Sequence, residues 1–219
     1  MFFSTTPADC SELPPGTCSG VYTIQPKNGP TMIVFCEMDT DRGGWTTIQR
    51  RYNGSVDFYR DWNEYKTGFG YIAGEHWLGN DNLHYILRQQ NSYQVRFDLE
   101  DINRISAYAI YDTIYVGNES TNYQITITGY SGTAGDSMMD GQKNPTNGRM
   151  FSTRDRDNDI HTSLSCSIDK KSGWWHGRCT KANINGVFLL ESYISANIHW
   201  VPWRRGDITK TRMSVKPRI

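Results

Sequence analysis

The sequence predicts an α+β fold in which a central antiparallel sheet with short helices is followed by a loop-rich C-terminal lobe. Three consecutive segments, YQVRFDLED (93–101), RISAYAIYDTIYVG (104–117) and NYQITITGY (122–130), alternate apolar and polar residues and are joined by short turns. That alternation is typical of an antiparallel meander with one buried face. Beyond residue 130 the periodicity ends, and Gly, Asn, Asp and Ser become frequent as far as about residue 206. This composition predicts a lobe with little regular structure.

The N-terminal segment is predicted to form short strands. GVYTI (20–24), TMIVFCEM (31–38) and GWTTIQRR (44–51) are rich in Val, Ile, Thr and aromatic residues, and prolines and glycines punctuate them. The closing segment TRMSVKPRI can add one last strand.

Residues from about 57 to 90 favour helices in short pieces. Three apolar residues in this stretch stand at helical spacing, namely Leu83, Ile86 and Leu87. Asn80 or Asp81 is available as the N-cap of that helix.

Composition limits the class of protein. The 219 residues suffice for one large domain or two small ones. Aromatic residues make up 13% of the sequence, as is typical of extracellular binding proteins. The formal net charge is zero and no basic block occurs, which argues against a nucleic-acid partner.

No apolar run reaches about 18 residues, so no membrane span is predicted. The start, MFFSTTPADC, is too short for a complete signal peptide, and we interpret it as a mature N-terminus.

The chain has five cysteines, and none forms a CxxC pair of the kind that binds zinc: Cys10, Cys18, Cys36, Cys166 and Cys179. Two local pairs, one near each end, suit disulfides and an oxidising compartment. A bond between Cys10 and Cys36 would tie the entering chain to the second strand. Three states then stay open for Cys18: a free thiol, the partner of Cys36 in place of Cys10, or a bond to another polypeptide. Glycosylation sequons at Asn53 and Asn118 agree with secretion.

The segment from residue 151 to 179, FSTRDRDNDIHTSLSCSIDKKSGWWHGRC, holds the densest set of candidate site residues, and no helix or strand is predicted in it. Asp155, Asp157 and Asp159 alternate along it, and alternate carboxylates on a tight loop can converge on one calcium ion. A solvated acidic turn, in which Arg154 and Arg156 pair with the acids, is the alternative. We expect a loop that is held in place by a calcium ion and a disulfide and that carries a ligand pocket. Its Trp-Trp pair is interpreted as core for at least one of the two rings.

Nothing in the sequence indicates an enzyme. GxSxG, HExxH and P-loop patterns are absent. The five histidines are scattered and have no evident nucleophile partner: His76, His84, His161, His176 and His199. The run GFGYIA (68–73) matches a relaxed dinucleotide-binding pattern, but it neither follows a clear strand nor opens a clear helix, so we interpret it as a turn.

Several longer motifs stand in order along the sequence: GGWTTIQRR, DFYRDWNEYKTGFG, HWLGNDNLHYI, GYSGTAGDSMM, FSTRDRDND, GWWHGRC and KANINGVF. Together they resemble the fibrinogen C-terminal (fibrinogen-related) domain, as found in ficolins, horseshoe-crab tachylectins, angiopoietins and tenascins. The resemblance covers nearly all 219 residues, and it is more specific for fold than for ligand.

The resemblance implies a single fibrinogen C-terminal-like domain over residues 9–217 with three subdomains. A disulfide-closed N-terminal part occupies about 9–50, a central sheet occupies 51–130 plus 208–217, and a calcium and ligand lobe occupies 131–207. The family's last strand returns into the central sheet, which fits the closing segment. The implied disulfides are Cys10–Cys36 and Cys166–Cys179.

Calcium is the cofactor that the resemblance implies. Its ligands would be the carboxylates of Asp157 and Asp159 and the carbonyls of His161 and Ser163. Six residues separate Asp159 from Cys166 here, where many relatives have five. We expect a structural site that fills at about 0.1 to 1 mM calcium, as in extracellular modules.

The ligand pocket is expected around the second disulfide. In relatives that bind acetylated sugars the peptide before the second cysteine is cis, which makes Arg178–Cys179 the candidate here. This sequence departs from their pattern, because Thr180 replaces a His and Lys170 replaces a funnel Tyr. Lys170 and its neighbour at 169 make the pocket more charged than an acetyl-selective pocket, which favours an anionic ligand. The predicted ligand-binding set is Asp169, Lys170, His176, Arg178, Cys179, Thr180, Tyr193 and Trp203.

The function implied is that of a secreted, extracellular, calcium-dependent, lectin-like recognition domain. Its partners would be acetylated or anionic glycans on microbial or cell surfaces, as in innate immune recognition or agglutination. The alternative is a module of angiopoietin, fibrinogen-chain or tenascin type that binds a receptor protein or a peptide terminus. Adhesion through Arg205-Gly206-Asp207 is a third hypothesis, against which a tight turn is the plainer interpretation. Because monovalent sugar contacts are weak, we expect a homo-oligomer in the full-length protein.

Overall fold

A computed structural model describes residues 6–90, 92–139, 145–188 and 195–218, which form two antiparallel sheets and three short helices. The helices are α1 (Trp62–Thr67), α2 (Asn80–Leu87) and α3 (Cys166–Asp169). The strands are β1 (Gly20–Ile24), β2 (Met32–Glu37), β3 (Trp45–Arg51), β4 (Phe69–Gly70), β5 (His76–Trp77), β6 (Tyr93–Asp101), β7 (Ser106–Val116), β8 (Ile125–Gly132), β9 (Ala182–Asn183), β10 (His199–Trp200), β11 (Arg204–Arg205) and β12 (Ile208–Pro217). No helix in these ranges is long and apolar enough to cross a membrane.

The last strand lies in the middle of the large sheet. Its strand order is β1-β2-β3-β12-β6-β7-β8, with β4 and β5 attached beside β3. β12 pairs antiparallel with β3 on one side and with β6 on the other. The closing segment therefore joins the N-terminal strands to the meander. The subdomain boundaries drawn from the sequence stay a prediction.

The meander buries one face, as its alternation predicts. Along β6, Val95 and Phe97 are buried, whereas Arg96 and Asp98, which alternate with them, are partly exposed. Side chains on a strand point alternately to opposite faces, so one face of the sheet packs on the core and the other carries polar groups.

Helix α2 buries its predicted apolar residues, which confirms Leu83, Ile86 and Leu87 as core. The predicted N-cap is wrong, because Asn80 already begins the helix and the cap is Gly79, with φ of 110°. The Asn80 side chain instead accepts a hydrogen bond from Trp77 Nε1 at 3.1 Å.

The run 68–73 is a hairpin turn, as interpreted from the sequence. Gly70 has φ of 89°, and a Cβ at this position would lie 2.3 Å from the carbonyl oxygen of Glu75. The Tyr71 N–H donates to that same carbonyl at 2.9 Å and closes the turn between β4 and β5.

The C-terminal lobe contains more regular structure than the sequence predicts. Helix α3 lies inside residues 151–179, where the sequence predicts none, and β9, β10 and β11 form a small sheet. These elements have two to four residues each, which is too short for a periodic pattern to appear.

Aromatic packing holds the lobe to the rest of the molecule. Trp174 and Trp175 are both fully buried, which confirms their interpretation as core. The Trp175 ring centroid lies 5.0 Å from that of Phe151 and 6.2 Å from that of Trp77, and its Nε1 donates to the carbonyl of Tyr123 at 2.7 Å. One cluster of rings thus joins the lobe, helix α1 and strand β5.

Both expected disulfides are present, Cys10–Cys36 and Cys166–Cys179. Cys18 is exposed and Cys36 is bonded to Cys10, so the pairing of Cys18 with Cys36 is wrong, and a free thiol or a bond to another polypeptide stays open.

Candidate functional site

The three alternating aspartates do not all face the same way. Asp155 Oδ1 accepts hydrogen bonds from the Trp62 N–H at 2.9 Å and from Thr153 Oγ1 at 2.7 Å. Asp155 therefore anchors the first residue of helix α1. Asp157 and Asp159 remain the candidate carboxylate ligands for an ion.

The arginines beside these acids pair elsewhere. Arg154 forms an ion pair with Asp61, and the Arg156 guanidinium stacks 4.0 Å above the Trp62 ring and lies 3.8 Å from Glu119. No ion pair between described residues involves Asp157 or Asp159. The alternative in which these arginines neutralise the second and third acids is therefore wrong.

Asp157 and Asp159 form a like-charge pair on a tight loop. Asp157 Oδ1 accepts the N–H of Asp159 at 3.2 Å. Asp159 Oδ1 accepts the N–H of His161 and its Oδ2 accepts the N–H of Cys166, each at 2.7 Å. Burial raises the pKa of Asp159, and the adjacent Asp157 carboxyl raises it further, against the effect of the two backbone N–H groups.

The donor set around this pair fits a hard cation. Over the described ranges, no N–H or O–H donates to the carbonyl oxygen of His161 or to that of Ser163. The His161 imidazole is already used, since its Nδ1 accepts the Ser163 N–H at 3.3 Å. Carboxylate and carbonyl oxygens are the ligands that calcium prefers. The described residues hold no group of three or more His, Cys, Asp and Glu side chains suited to a metal, so carbonyls and water would have to complete the shell.

The acidic loop is tied directly to the disulfide loop. Besides the bond from Cys166 to Asp159, the Ile160 N–H donates to the carbonyl of Gly177 at 3.2 Å. Gly177 in turn donates its N–H to the Cys179 carbonyl at 2.7 Å. A change in the acidic loop is therefore transmitted to the disulfide loop through these hydrogen bonds.

The peptide between Arg178 and Cys179, the candidate for a cis bond, is trans. A cis bond before a residue other than proline costs about 3–4 kcal/mol, and the Gly177–Cys179 hydrogen bond is made with the trans peptide. Arg178 itself is exposed, so its guanidinium faces solvent beside the disulfide.

Lys170 lies at the C-terminal end of helix α3. Its Nζ forms an ion pair of 2.8 Å with Asp169, and its side chain is only 15% exposed, against 40% for Asp169. The Lys170 carbonyl accepts a hydrogen bond from Asn183 Nδ2 at 3.2 Å, which ties the helix end to strand β9.

His176 lies beneath the surface. Its ring is fully buried, with Nε2 3.3 Å from the carbonyl oxygen of Ser172. Burial lowers the pKa of His176 to about 3, and the charges of His199 and Lys170 lower it further, whereas Asp169 opposes the shift. The ring is therefore neutral near pH 7 and has no access to solvent.

The other predicted pocket residues are found in different settings. Thr180 Oγ1 donates to the Ala182 carbonyl at 2.8 Å and caps the entry to β9, and Trp203 is partly exposed beneath the Arg204 guanidinium. Tyr193 lies outside the described residues.

Sequence reasoning missed His199. This histidine is 7% exposed and stands opposite Arg205 in the β10–β11 pair, with Nδ1 2.9 Å from the Asn197 carbonyl. Burial lowers its pKa, and the positive charges of Lys170 and Arg205 lower it further. Lys170 and Arg205 thus place two positive charges near the buried imidazole of His199. The only sequence signal for His199 is the two-residue strand β10, which is too short to recognise from a pattern.

The Arg205-Gly206-Asp207 tripeptide connects β11 to β12. Gly206 has φ of 111°, and the backbone bends at this residue. Arg205 is exposed, and the Asp207 carboxylate lies 3.7 Å from Arg204.

Comparison with known proteins places the whole arrangement in context. Residues 6–218 match the family model of the fibrinogen beta and gamma chains, C-terminal globular domain. Fibrinogen C domain-containing protein 1 of Xenopus tropicalis is 41% identical over 209 residues, which cover 91% of this chain and 44% of that protein. The chain therefore spans less than half the length of this relative.

Two solved structures share the fold. The fibrinogen-like globe domain of human ANGPTL2 superposes with a TM-score of 0.90 at 33% identity, covering 97% of this chain and 100% of that one. Lamprey fibrin D-dimer, complexed with the peptide ligand Gly-His-Arg-Pro-amide, has a TM-score of 0.88 at 33% identity, over 98% of this chain and 74% of that one.

Proposed function

We propose that this protein, which belongs to the family of the C-terminal globular domains of fibrinogen beta and gamma chains, is a secreted, calcium-dependent, lectin-like recognition domain for anionic or acetylated glycans. Members of this family are non-enzymatic binding modules. The two disulfides and the exposed sequon residues Asn53 and Asn118 support secretion and glycosylation.

A bound calcium ion would neutralise the like charges of Asp157 and Asp159, with the carbonyls of His161 and Ser163 as further ligands. An ion held there would order the loop that contains its ligands. The role we assign to calcium is structural.

The observation that carries the proposal is the position of helix α3. Asp159 holds its first residue through the Cys166 N–H at 2.7 Å, and Lys170 is its C-cap. A single helical turn therefore connects Asp159, the proposed calcium ligand, to Lys170, the proposed contact for the glycan. The positive charges of Lys170 and Arg205, which both lie near His199, favour a ligand with a carboxylate or sulfate group.

Two neighbouring lysines offer a matched test of this assignment. Wild-type protein, Lys170→Gln and Lys171→Gln would be applied to immobilised N-acetylglucosamine, sialylated and sulfated glycans in millimolar calcium and in chelator. Lys171 is exposed and serves as the control. We expect calcium-dependent binding that Lys170→Gln weakens about tenfold, since one charge-assisted contact is lost. Failure of the folded wild type to bind any glycan in calcium would contradict the proposal.

Peptide recognition is the second candidate, and one comparison favours it. The lamprey relative is complexed with Gly-His-Arg-Pro-amide, a short peptide that begins with glycine and has an amide at its C-terminus. Asp169, whose side chain is 40% exposed, could accept the N-terminal amine of such a peptide here. Binding of this peptide that survives excess glycan, and that Asp169→Asn abolishes, would favour this function over glycan binding.

Homo-oligomerisation in the full-length protein is proposed on the same grounds. Single sugar contacts are weak, and linked copies raise the overall affinity by about 10² to 10⁴.

A further inference from the structure

One face of the large sheet carries polar and aromatic side chains in cross-strand rows. One such row crosses four strands: Arg50 on β3 pairs with Arg212 on β12, Arg212 pairs with Asp98 on β6, and Asp98 pairs with Tyr108 on β7. Residues paired in this way project from the same face of a sheet. The face lines an open pocket of about 520 Å³, within the range of about 300–1,000 Å³ typical of small-ligand sites.

Arg50 has no acidic partner in this cavity. Its guanidinium stacks 4.8 Å from the Phe35 ring centroid and 5.2 Å from that of Tyr52, and Nη1 donates to the Ala73 carbonyl at 3.3 Å. Throughout the described ranges it forms no ion pair. The two rings and the carbonyl fix its orientation, so little side-chain entropy is left to lose when an anion binds.

The neighbouring arginines are fixed as well. Arg96 stacks 4.4 Å from the Tyr108 centroid and shares the Asp98 carboxylate with Arg212, at 2.7 and 2.9 Å respectively. Arg212 also forms an ion pair with Glu37, so both of these arginines have a carboxylate partner. Lys210 pairs with Glu100 and Arg51 lies 4.0 Å from Glu75, so among the lining residues described Arg50 is the cation without an acidic partner.

From this geometry we infer a second ligand site on the sheet face, separate from the C-terminal lobe, that takes a sulfated oligosaccharide. Guanidiniums form paired hydrogen bonds with sulfate oxygens, and the partly exposed Tyr52 and Tyr108 rings offer apolar faces to the C–H surfaces of sugar rings. The zero net charge of the protein leaves no general attraction for polyanions, so the preference must come from this local arrangement.

The test is a titration of the folded protein with a heparin-derived hexasaccharide and with the same hexasaccharide after desulfation. Arg88→Gln is the matched control for Arg50→Gln, because Arg88 also stacks on a tyrosine, 4.9 Å from the Tyr85 centroid, and donates to a backbone carbonyl. We expect Arg50→Gln to weaken binding about tenfold or more, as for loss of a hydrogen bond to a charged group. Arg88→Gln should change it less than about twofold.

Chelator and salt separate this site from the calcium-linked lobe. Binding at the sheet face should be unaffected by chelator and weakened by added salt. Equal losses in Arg50→Gln and Arg88→Gln, equal affinity for the desulfated sugar, or equally tight binding of a polyglutamate peptide would overturn the inference. So would binding that chelator abolishes and Arg50→Gln leaves unchanged, since the sugar would then occupy the lobe.

Discussion

Replacing Glu75 by glutamine should strongly destabilise the fold, because this one carboxylate organises a whole loop. Its Oε1 accepts the N–H groups of Tyr52, Asn53 and Gly54 at 2.7, 2.8 and 2.9 Å, and its Oε2 accepts that of Val56 at 3.0 Å. Burial raises the pKa of Glu75, but these four bonds outweigh it and hold the pKa below its usual range.

The magnitude of the destabilisation follows from the loss of a hydrogen-bond acceptor, because a glutamine NH₂ group cannot accept a backbone N–H. A glutamine NH₂ group would face a backbone donor, which leaves a buried N–H without an acceptor at about 1–3 kcal/mol. Arg51, with a side chain 2% exposed and Nε 4.0 Å from Glu75, would also lose its counter-charge. Burial already lowers the pKa of Arg51 to about 10, and Glu75 partly offsets this. Removing one partner of such a buried pair costs about 3–5 kcal/mol in all.

The effect should reach the ligand lobe, because Arg51 Nη1 donates to the Gly186 carbonyl at 3.0 Å. Urea unfolding at pH 7 measures the loss, with Asp112→Asn as the control. Asp112 forms an exposed pair with Arg218, 47% and 52% exposed, so its loss should cost at most about 1 kcal/mol. A Glu75→Gln variant no less stable than Asp112→Asn would refute the reasoning.

Acid unfolding offers a second readout of the same carboxylate. Because the folded pKa of Glu75 lies below the unfolded value, its contribution is complete above about pH 4.3 and is lost as the pH falls through the folded pKa. The Glu75→Gln variant should therefore lose less stability than the wild type as the pH is lowered from about 5 to about 2.

Three further outcomes are expected. Replacing both Cys166 and Cys179 by serine should lower the free energy of unfolding by about 3 kcal/mol, as expected for opening a short loop; an unchanged midpoint in urea would contradict this. Iodoacetamide should add one adduct to the native protein, at Cys18, because the other four cysteines are bonded; none or several by mass spectrometry would be inconsistent. Since the folded pKa of His176 is lowered to about 3, stability should fall as the pH drops below about 6.5, and His176→Gln should flatten that slope in calorimetry.

The long strands are predictable because each has one buried and one polar face. The alternation in Tyr93–Asp101 shows that difference at every residue. The place of β12 between β3 and β6 is not local information, since its partners lie more than 100 residues away in the sequence. It followed only from the family resemblance.

The candidate site, like the fold, is predictable from the sequence only in part. The spacing of Asp157 and Asp159 indicates their shared loop, but not that Asp155 turns away to helix α1. Burial is a property of the folded whole, so the enclosed ring of His176 and the nearby His199 could not be read from the sequence.

The measurement that tests the central claim most directly is a calcium titration of glycan binding by wild-type protein and Asp157→Asn. The asparagine oxygen can still accept the Asp159 N–H, so only the charge at this ligand is removed. We expect wild-type binding to appear at about 0.1–1 mM calcium, as for other extracellular calcium modules, and the variant to need a higher concentration. Glycan binding by the wild type that is equally strong with and without calcium would contradict the account.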